Sequence, residues 1–230
     1  APNHFTYELF LDDIGQKIDV IRCGIDPQVF RPADHQRESG VFTIITVASL
    51  EEKKGHAYLI EACRLLKERG VDFRCLLVGD GELRDALQAQ IDQHGLTDQI
   101  VLLGRQPRHQ VSELLNTSDV LVLPSIITNR GKKEGIPVAL MEALAAQLAV
   151  IATDISGISE LVVDGQTGLL VPEKNAVAIA DALERLRTDA TLRARLGEQG
   201  RAKVLQEFDL HRNTAALADR FKQAAAAIPG

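Results

Sequence analysis

The stretch Glu134-Gly135-Ile136-Pro137-Val138-Ala139-Leu140-Met141-Glu142-Ala143-Leu144-Ala145-Ala146 decides how the rest of the chain is read. It follows an apolar, strand-like run, Val120-Leu121-Val122-Leu123, and a polar loop containing Arg130, Lys132 and Lys133. Proline suits the first helical position, where its missing N–H costs nothing and its fixed φ is already helical, so Pro137 is expected to open a helix. From Val138 to Ala146 the one charged residue is Glu142, which predicts a helix buried nearly all round. A carboxylate on such a helix is costly unless something hydrogen-bonds it. Glu134 stands just ahead, beside the helix's positive end and its unpaired N–H groups. With Gly135 leaving the backbone open to a ligand, those donors form a ready anion site. The pattern predicts one carboxylate near each end of a bound molecule, with an anionic group between them. Taken by itself it is equally compatible with Glu134 complementing the helix dipole and Glu142 facing a water pocket or an arginine.

Working outward, apolar β-rich runs alternate with helical spacings. Strands are expected at Val41–Ala48, Phe73–Val78, Ile100–Leu103, Val120–Leu123, Val150–Thr153 and Gly168–Val171. Helices are expected at His56–Lys67, Glu82–Gln93 and His109–Leu115, and after Asn175 at about Asn175–Arg187, Thr191–Glu207 and Leu210–Ile228. Near-continuous apolar strands separated by helices imply an α/β fold, a doubly wound parallel sheet of Rossmann-like type, covered on both faces. Ligands of such sheets bind at the carboxyl ends of the strands, so the loops of interest are 48–55, 79–82, 103–108, 124–137 and 153–160. Ahead of this domain, residues 1–14 have helical spacing, Gly15 ends that helix, and Ile18–Arg22 is expected to form a short strand. Residues 31–40 are polar and aperiodic and are expected to be a linker.

The chain has 230 residues, 45% hydrophobic, enough for one large domain or one and a half, with an ample core. Its net charge of −6 argues against nucleic acid as the main partner. No apolar run approaches the ~20 residues of a membrane span, and the start shows no signal-peptide pattern. Cys23, Cys63 and Cys75 have no metal-ligand spacing and are expected to be reduced thiols of a cytosolic protein, with Cys63 and Cys75 in the core. The six histidines show no paired spacing, so no metal site is expected.

Two further stretches bear on chemistry. Gly79-Asp80-Gly81 follows a strand and opens a helix, but Arg84 occupies the third glycine position of a dinucleotide fingerprint, so a tight turn is the better reading. In Glu51-Glu52-Lys53-Lys54-Gly55-His56, the first three residues read as a solvated turn. Lys54, beside a glycine and a helix start, is suited to a diphosphate, where a fixed cation lowers the cost of charge developing on a leaving phosphate.

Glu-x7-Glu with Gly-Ile-Pro after the first Glu resembles the donor-site signature of the retaining GT-B glycosyltransferases of family 4 (group 1). The likeness runs from about residue 15 to residue 187, including Lys17–Pro32, Gly79-Asp80-Gly81, Leu103-Gly104-Arg105, Ser156-Gly157-Ile158-Ser159-Glu160-Leu161 and Asp164-Gly165-x-Thr167-Gly168. It implies the C-terminal, donor-binding half of a two-domain fold. Residues 1–30 would then be a remnant of the N-terminal acceptor domain, 31–40 the interdomain linker, 41–208 the nucleotide-sugar domain, and 209–230 a helix crossing back to the missing domain. It also implies that Glu134 contacts the sugar, that Gly135 and Ile136 at the helix start hold the diphosphate, with Pro137 also in the donor site, that Glu142 binds the ribose diol, and that Lys54 stabilises the leaving diphosphate. Backbone at Leu103, Gly104 and Arg105 would flank the base. The family's usual arginine five residues before Lys54 is Ser49 here, a weaker neutral donor. One of Arg130, Lys132 and Lys133 is a candidate to cover the diphosphate in its place, or these form a plain basic loop. Glu160 would support a helix start. The implied reaction is hexosyl transfer from a nucleoside diphosphate sugar, UDP-linked, without cofactor or metal, as in exopolysaccharide synthesis. It would take place in the cytoplasm, with peripheral contact to the inner membrane face through the missing domain, and the fragment alone would be inactive. A sugar-nucleotide epimerase of the same fold and a non-catalytic nucleotide-binding module are the alternatives.

Overall fold

Successive side chains of a strand go to opposite faces, so a sheet covered on both sides needs strands that are apolar at nearly every position. The structure, a computed structural model describing residues 20–33 and 40–226, has six such strands. They are β1 (Phe42–Val47), β2 (Phe73–Val78), β3 (Ile100–Gly104), β4 (Val120–Leu123), β5 (Ala149–Thr153) and β6 (Leu169–Val171). Ile44, Cys75, Val120 and Ile151 pack into the core on one face, and their neighbours Ile45, Leu76, Leu121 and Val150 into the core on the other. All pairings are parallel, in the order β3-β2-β1-β4-β5-β6. This is the doubly wound, Rossmann-like α/β sheet expected from the sequence.

The connecting helices are α1 (His56–Glu68), α2 (Arg84–Gln93), α3 (Arg108–Thr117), α4 (Val138–Ala145) and α5 (Ile158–Leu161). After β6 follow α6 (Ala176–Thr188), α7 (Ala190–Glu207) and α8 (Leu210–Ala226). Helix α1 buries Leu59, Ile60, Cys63 and Leu66 on one face of the sheet, with α2 and α6 beside it. Helix α4 buries Leu140, Met141, Ala143 and Leu144 on the other face, with α3 and the end of α7. Cys63 and Cys75 are buried free thiols, as expected, and burial pushes the Cys63 thiol well up from its ordinary range.

Some expectations shift. The helix expected over residues 1–14 and most of the linker, 34–39, lie outside the described residues. Of the strand expected over Ile18–Arg22, residues 20–22 are described and form none. This segment meets the start of α8 instead: the Ile25 N–H donates to the Phe208 carbonyl at 2.9 Å, and the Leu210 N–H donates to the Ile25 carbonyl at 3.0 Å. Ile25 and Phe30 complete the α4-side core. Pro137 is not the first helical residue but the cap before it, with ψ at 127°. Helix α4 is not buried all round, since Val138 is 53% exposed and Glu142 is half-buried.

β1 hydrogen-bonds to both β2 and β4, so the chain direction across the sheet reverses between β1 and β4. The crevice outside the carboxyl ends of those two strands is where such folds bind ligands. The two loops that frame it are locked together at Gly55, whose φ is +68°; a Cβ there would stand 1.8 Å from the Pro124 carbonyl oxygen. Gly79 serves the neighbouring loop in the same way, against the Ala48 carbonyl. This gives Gly79-Asp80-Gly81 the tight-turn role read from the sequence.

Candidate functional site

After β1 the chain makes a 3-10 turn, Glu52–Lys54, which sets Lys54 directly beneath the loop that follows β4. That loop is tied down along its length. The Ile126 N–H donates to the Lys53 carbonyl (2.9 Å), the Ile127 N–H to the Glu173 carboxylate (2.7 Å), and the Thr153 hydroxyl to the Ser125 carbonyl (2.6 Å). Its tip is a closed turn: the Thr128 N–H donates to the Lys132 carbonyl (3.0 Å), and the Lys132 N–H to the Thr128 hydroxyl (3.1 Å). Arg130 and Lys132 stand exposed on this turn, and Lys133 exposed just beyond it.

From this loop Glu134 turns inward, its side chain 8% exposed. The Lys54 ammonium lies 2.9 Å from Oε1 and the Lys53 ammonium 3.7 Å from the same atom. Oε1 is enclosed and receives no hydrogen bond of proper angle, so charge rather than a directed bond holds the pair. Next come the amides of Gly135, Ile136, Val138 and Ala139, which donate to no described residue, and α4 has no side-chain cap. A Cβ at Gly135 would meet nothing within 4 Å, so the space in front of this backbone is open. The site thus joins a lysine, a carboxylate and a free helix start at the fold's ligand edge, an arrangement that favours an anion.

The Glu142 carboxylate, eight residues on, makes no hydrogen bond or ion pair with any described residue, although the Glu142 carbonyl accepts the Ala146 N–H at 3.0 Å. Burial pushes its carboxyl up to about 7, and the Arg108 charge opposes that rise. The Arg108 charge reaches Glu142 without an ion pair among the described residues, so both readings of Glu142, a bound diol or a carboxylate facing an arginine, stay open. Ser49 is half-buried, and its carbonyl accepts the Glu51 N–H at 2.9 Å. At the third strand the backbone is already in use: the Leu103 carbonyl accepts from the Gln106 side chain (2.7 Å) and the Gly104 carbonyl from the Gly79 N–H (2.9 Å). Arg105 is exposed. Glu160 faces Arg22 at 3.6 Å. In the loop after β5 it is Ser156, not Gly157, that takes the left-handed turn, with φ at 51°.

Residues 30–203 match the family described as glycosyl transferases group 1. The chain belongs to that family. Among curated relatives of this group 1 glycosyltransferase, the chain is 41% identical over 208 residues to WcaL of Escherichia coli (strain K12), a provisionally assigned colanic acid biosynthesis glycosyltransferase. It is 40% identical over 200 residues to the amylovoran biosynthesis glycosyltransferase AmsK of Erwinia amylovora. These alignments cover 88% and 85% of the chain but 51% and 48% of the relatives, so the chain spans about half the length of the curated relatives it matches. Among solved structures, a glycosyltransferase from Rickettsia africae superposes with a TM-score of 0.85 at 24% identity, over 97% of this chain and 62% of that one. Anabaena Alr3699/HepE, solved in complex with UDP, superposes with a TM-score of 0.83 at 20% identity, over 95% of this chain and 61% of that one. The fold is that of the GT-B glycosyltransferases.

Three side chains near the group 1 site escaped the sequence reading. Lys53 had been read as part of a solvated turn, yet it shares the Glu134 carboxylate. Arg108, the first residue of α3, stacks over the buried Phe30 ring at 5.0 Å, and nothing in the sequence connects it to Glu142. His56 opens α1 fully enclosed, with both ring nitrogens unpartnered; burial, then the Lys54 charge, lower it to about 4, so it is neutral near pH 7. Among the described residues no group of three His, Cys, Asp or Glu side chains is placed to hold a metal, and no helix is long and apolar enough to cross a membrane. A groove of about 560 Å³ opens at the opposite, amino edge of the sheet, lined by Asp72, Arg74, Asp98, Gln99 and Asp119, and contains none of the residues expected to act.

Proposed function

We propose that the chain is the donor-binding half of a retaining, family 4 glycosyltransferase that moves a hexosyl group from a UDP-sugar to a glycan or lipid-linked acceptor in exopolysaccharide synthesis. The observation that carries this reading is the Lys54–Glu134 pair set against the uncapped start of α4, at the point where the sheet order reverses. The diphosphate lies on the amides of Gly135, Ile136 and Val138, with Lys54 at its side. Glu134 orients the sugar, and Glu142 accepts hydrogen bonds from the ribose diol. As the bond from the anomeric carbon to the diphosphate breaks, negative charge grows on the departing oxygen, where a fixed ammonium and a helix start lower the barrier. These supply the positive charge without a metal. Backbone near Arg105 borders the base, while Arg130, Lys132 and Lys133 overhang the phosphates from their turn.

The curated relatives act in colanic acid and amylovoran synthesis, and the Anabaena neighbour is also recorded with UDP-glucose, which supports a UDP-sugar as donor. The acceptor site belongs to the other half of the longer protein, which works in the cytoplasm at the inner membrane face. A competition binding screen of UDP-, GDP- and ADP-sugars against this chain tests the reading. UDP-sugars are expected to bind most tightly, with no sugar transfer by the 230-residue chain. Preference for another base would overturn the donor assignment, and turnover by this chain would overturn the division of labour between the halves.

A further inference from the structure

We propose that Lys53 is a further cation of the diphosphate site beside Lys54, and that Glu134 holds both ammonium groups in place until the diphosphate arrives. This rests on the donor-site reading above and adds a residue to it.

Side chains of adjacent residues in a 3-10 turn point about 120° apart, as its three residues per turn require. Lys53 and Lys54 nevertheless reach the same carboxylate oxygen of Glu134, at 3.7 and 2.9 Å. The backbone of this turn is fixed. The Lys53 carbonyl takes the Ile126 N–H, and Gly55 abuts the Pro124 carbonyl. Lys53 is thus aimed by two loops rather than drifting in solvent. Its other ion-pair partner, Glu51 at 4.0 Å, is 47% exposed and in water contributes little. Around the enclosed oxygen, two ammonium charges face one carboxylate, beside backbone amides that also lack acceptors. A diphosphate supplies the charge this cluster lacks, and the phosphate oxygens outcompete a single carboxylate for both lysines. Arg130 and Lys132 also lie nearby in sequence, but among the described residues Glu134 pairs with Lys53 and Lys54.

The test titrates UDP, GDP and ADP calorimetrically against the wild-type chain, then takes the tightest binder and its parent nucleoside to Lys53→Ala, Lys53→Arg and Lys54→Ala. The Lys53 carbonyl bond to Ile126 uses no side-chain atom, so the variants are expected to keep the turn. Lys53→Ala is expected to weaken the diphosphate on the order of 10-fold, the usual scale for one charged hydrogen bond, with the nucleoside unchanged. Lys53→Arg is expected to restore most of the affinity. Wild-type affinity in Lys53→Ala, or an equal loss for the nucleoside, overturns the role of Lys53. If Lys54→Ala alone loses diphosphate affinity, the donor site stands without Lys53. If the wild type binds none of the three nucleotides, the donor-site reading itself falls, and this proposal with it.

Discussion

Glu142 sits among Leu140, Met141, Ala143 and Leu144 on a helix that would pack better without it. Burial moves its carboxyl from 4.5 to about 7, so the folded chain keeps a proton that the unfolded chain has already released between those values. The stability tied to this group is therefore complete below the unfolded value and is lost as pH rises through the folded one. Glu142→Gln should make the ligand-free protein more stable at about pH 8, by something on the order of 1–3 kcal/mol, and flatten its stability between about pH 5 and 8. Thermal unfolding across that range checks the sign. In the proposed donor site ribose binding would work in the opposite direction: a diol would donate to the ionised carboxylate and stabilise the form that folding disfavours, so the wild-type affinity for nucleotide should rise with pH through about 7. Gly55 poses a plainer constraint. At φ +68°, with the Pro124 oxygen 1.8 Å from where a Cβ would be, Gly55→Ala must push apart the two loops that hold Lys54 and Glu134. It should cost on the order of 3 kcal/mol or more in chemical denaturation, together with loss of nucleotide binding.

At the scale of elements, the helix that carries the site differs from the two capped helices that follow β6. Asn175 and Asp189 cap α6 and α7, accepting from the Ala178 N–H at 3.0 Å and the Leu192 N–H at 2.8 Å. Helix α4 has a proline in that place and leaves its first amides free. Asp189→Ala should therefore cost about 1 kcal/mol of stability, read from denaturant midpoints, while leaving nucleotide affinity untouched. The six strands were legible in the sequence because burial on both faces makes each a continuous apolar run such as Val120–Leu123. Their ends moved by a residue or so. Pro137 was misplaced by one position because proline fixes φ but not ψ, and φ near −69° serves a cap and a first helical residue equally well. Helix α5 spans four residues, too few to show a period. The convergence of Lys53 on Glu134 was hidden because it depends on how two loops far apart in sequence meet at Gly55 and Pro124. Glu134, Lys54 and Glu142 stood out for the opposite reason, since each is a charge that local sequence cannot satisfy.

At the scale of the whole molecule, the parallel sheet gathers residues from positions 49 to 142 at one edge, where the β1 and β4 loops meet. The other half of the curated relatives has no counterpart in this chain. A donor site held on one side alone binds but cannot enclose a reaction, which is why the account expects affinity without turnover. At its centre stands the proposal that the half-buried Glu142 of α4 is kept for a ribose. The most direct measurement is a thermodynamic cycle, comparing the affinities of UDP and 2′,3′-dideoxy-UDP for the wild type and for Glu142→Gln by calorimetry. The account predicts that removing the diol weakens binding on the order of 10-fold in the wild type and hardly at all in the variant, the coupling expected when two groups touch. An equal loss in both proteins would mean that the diol and Glu142 do not meet, and would contradict the account.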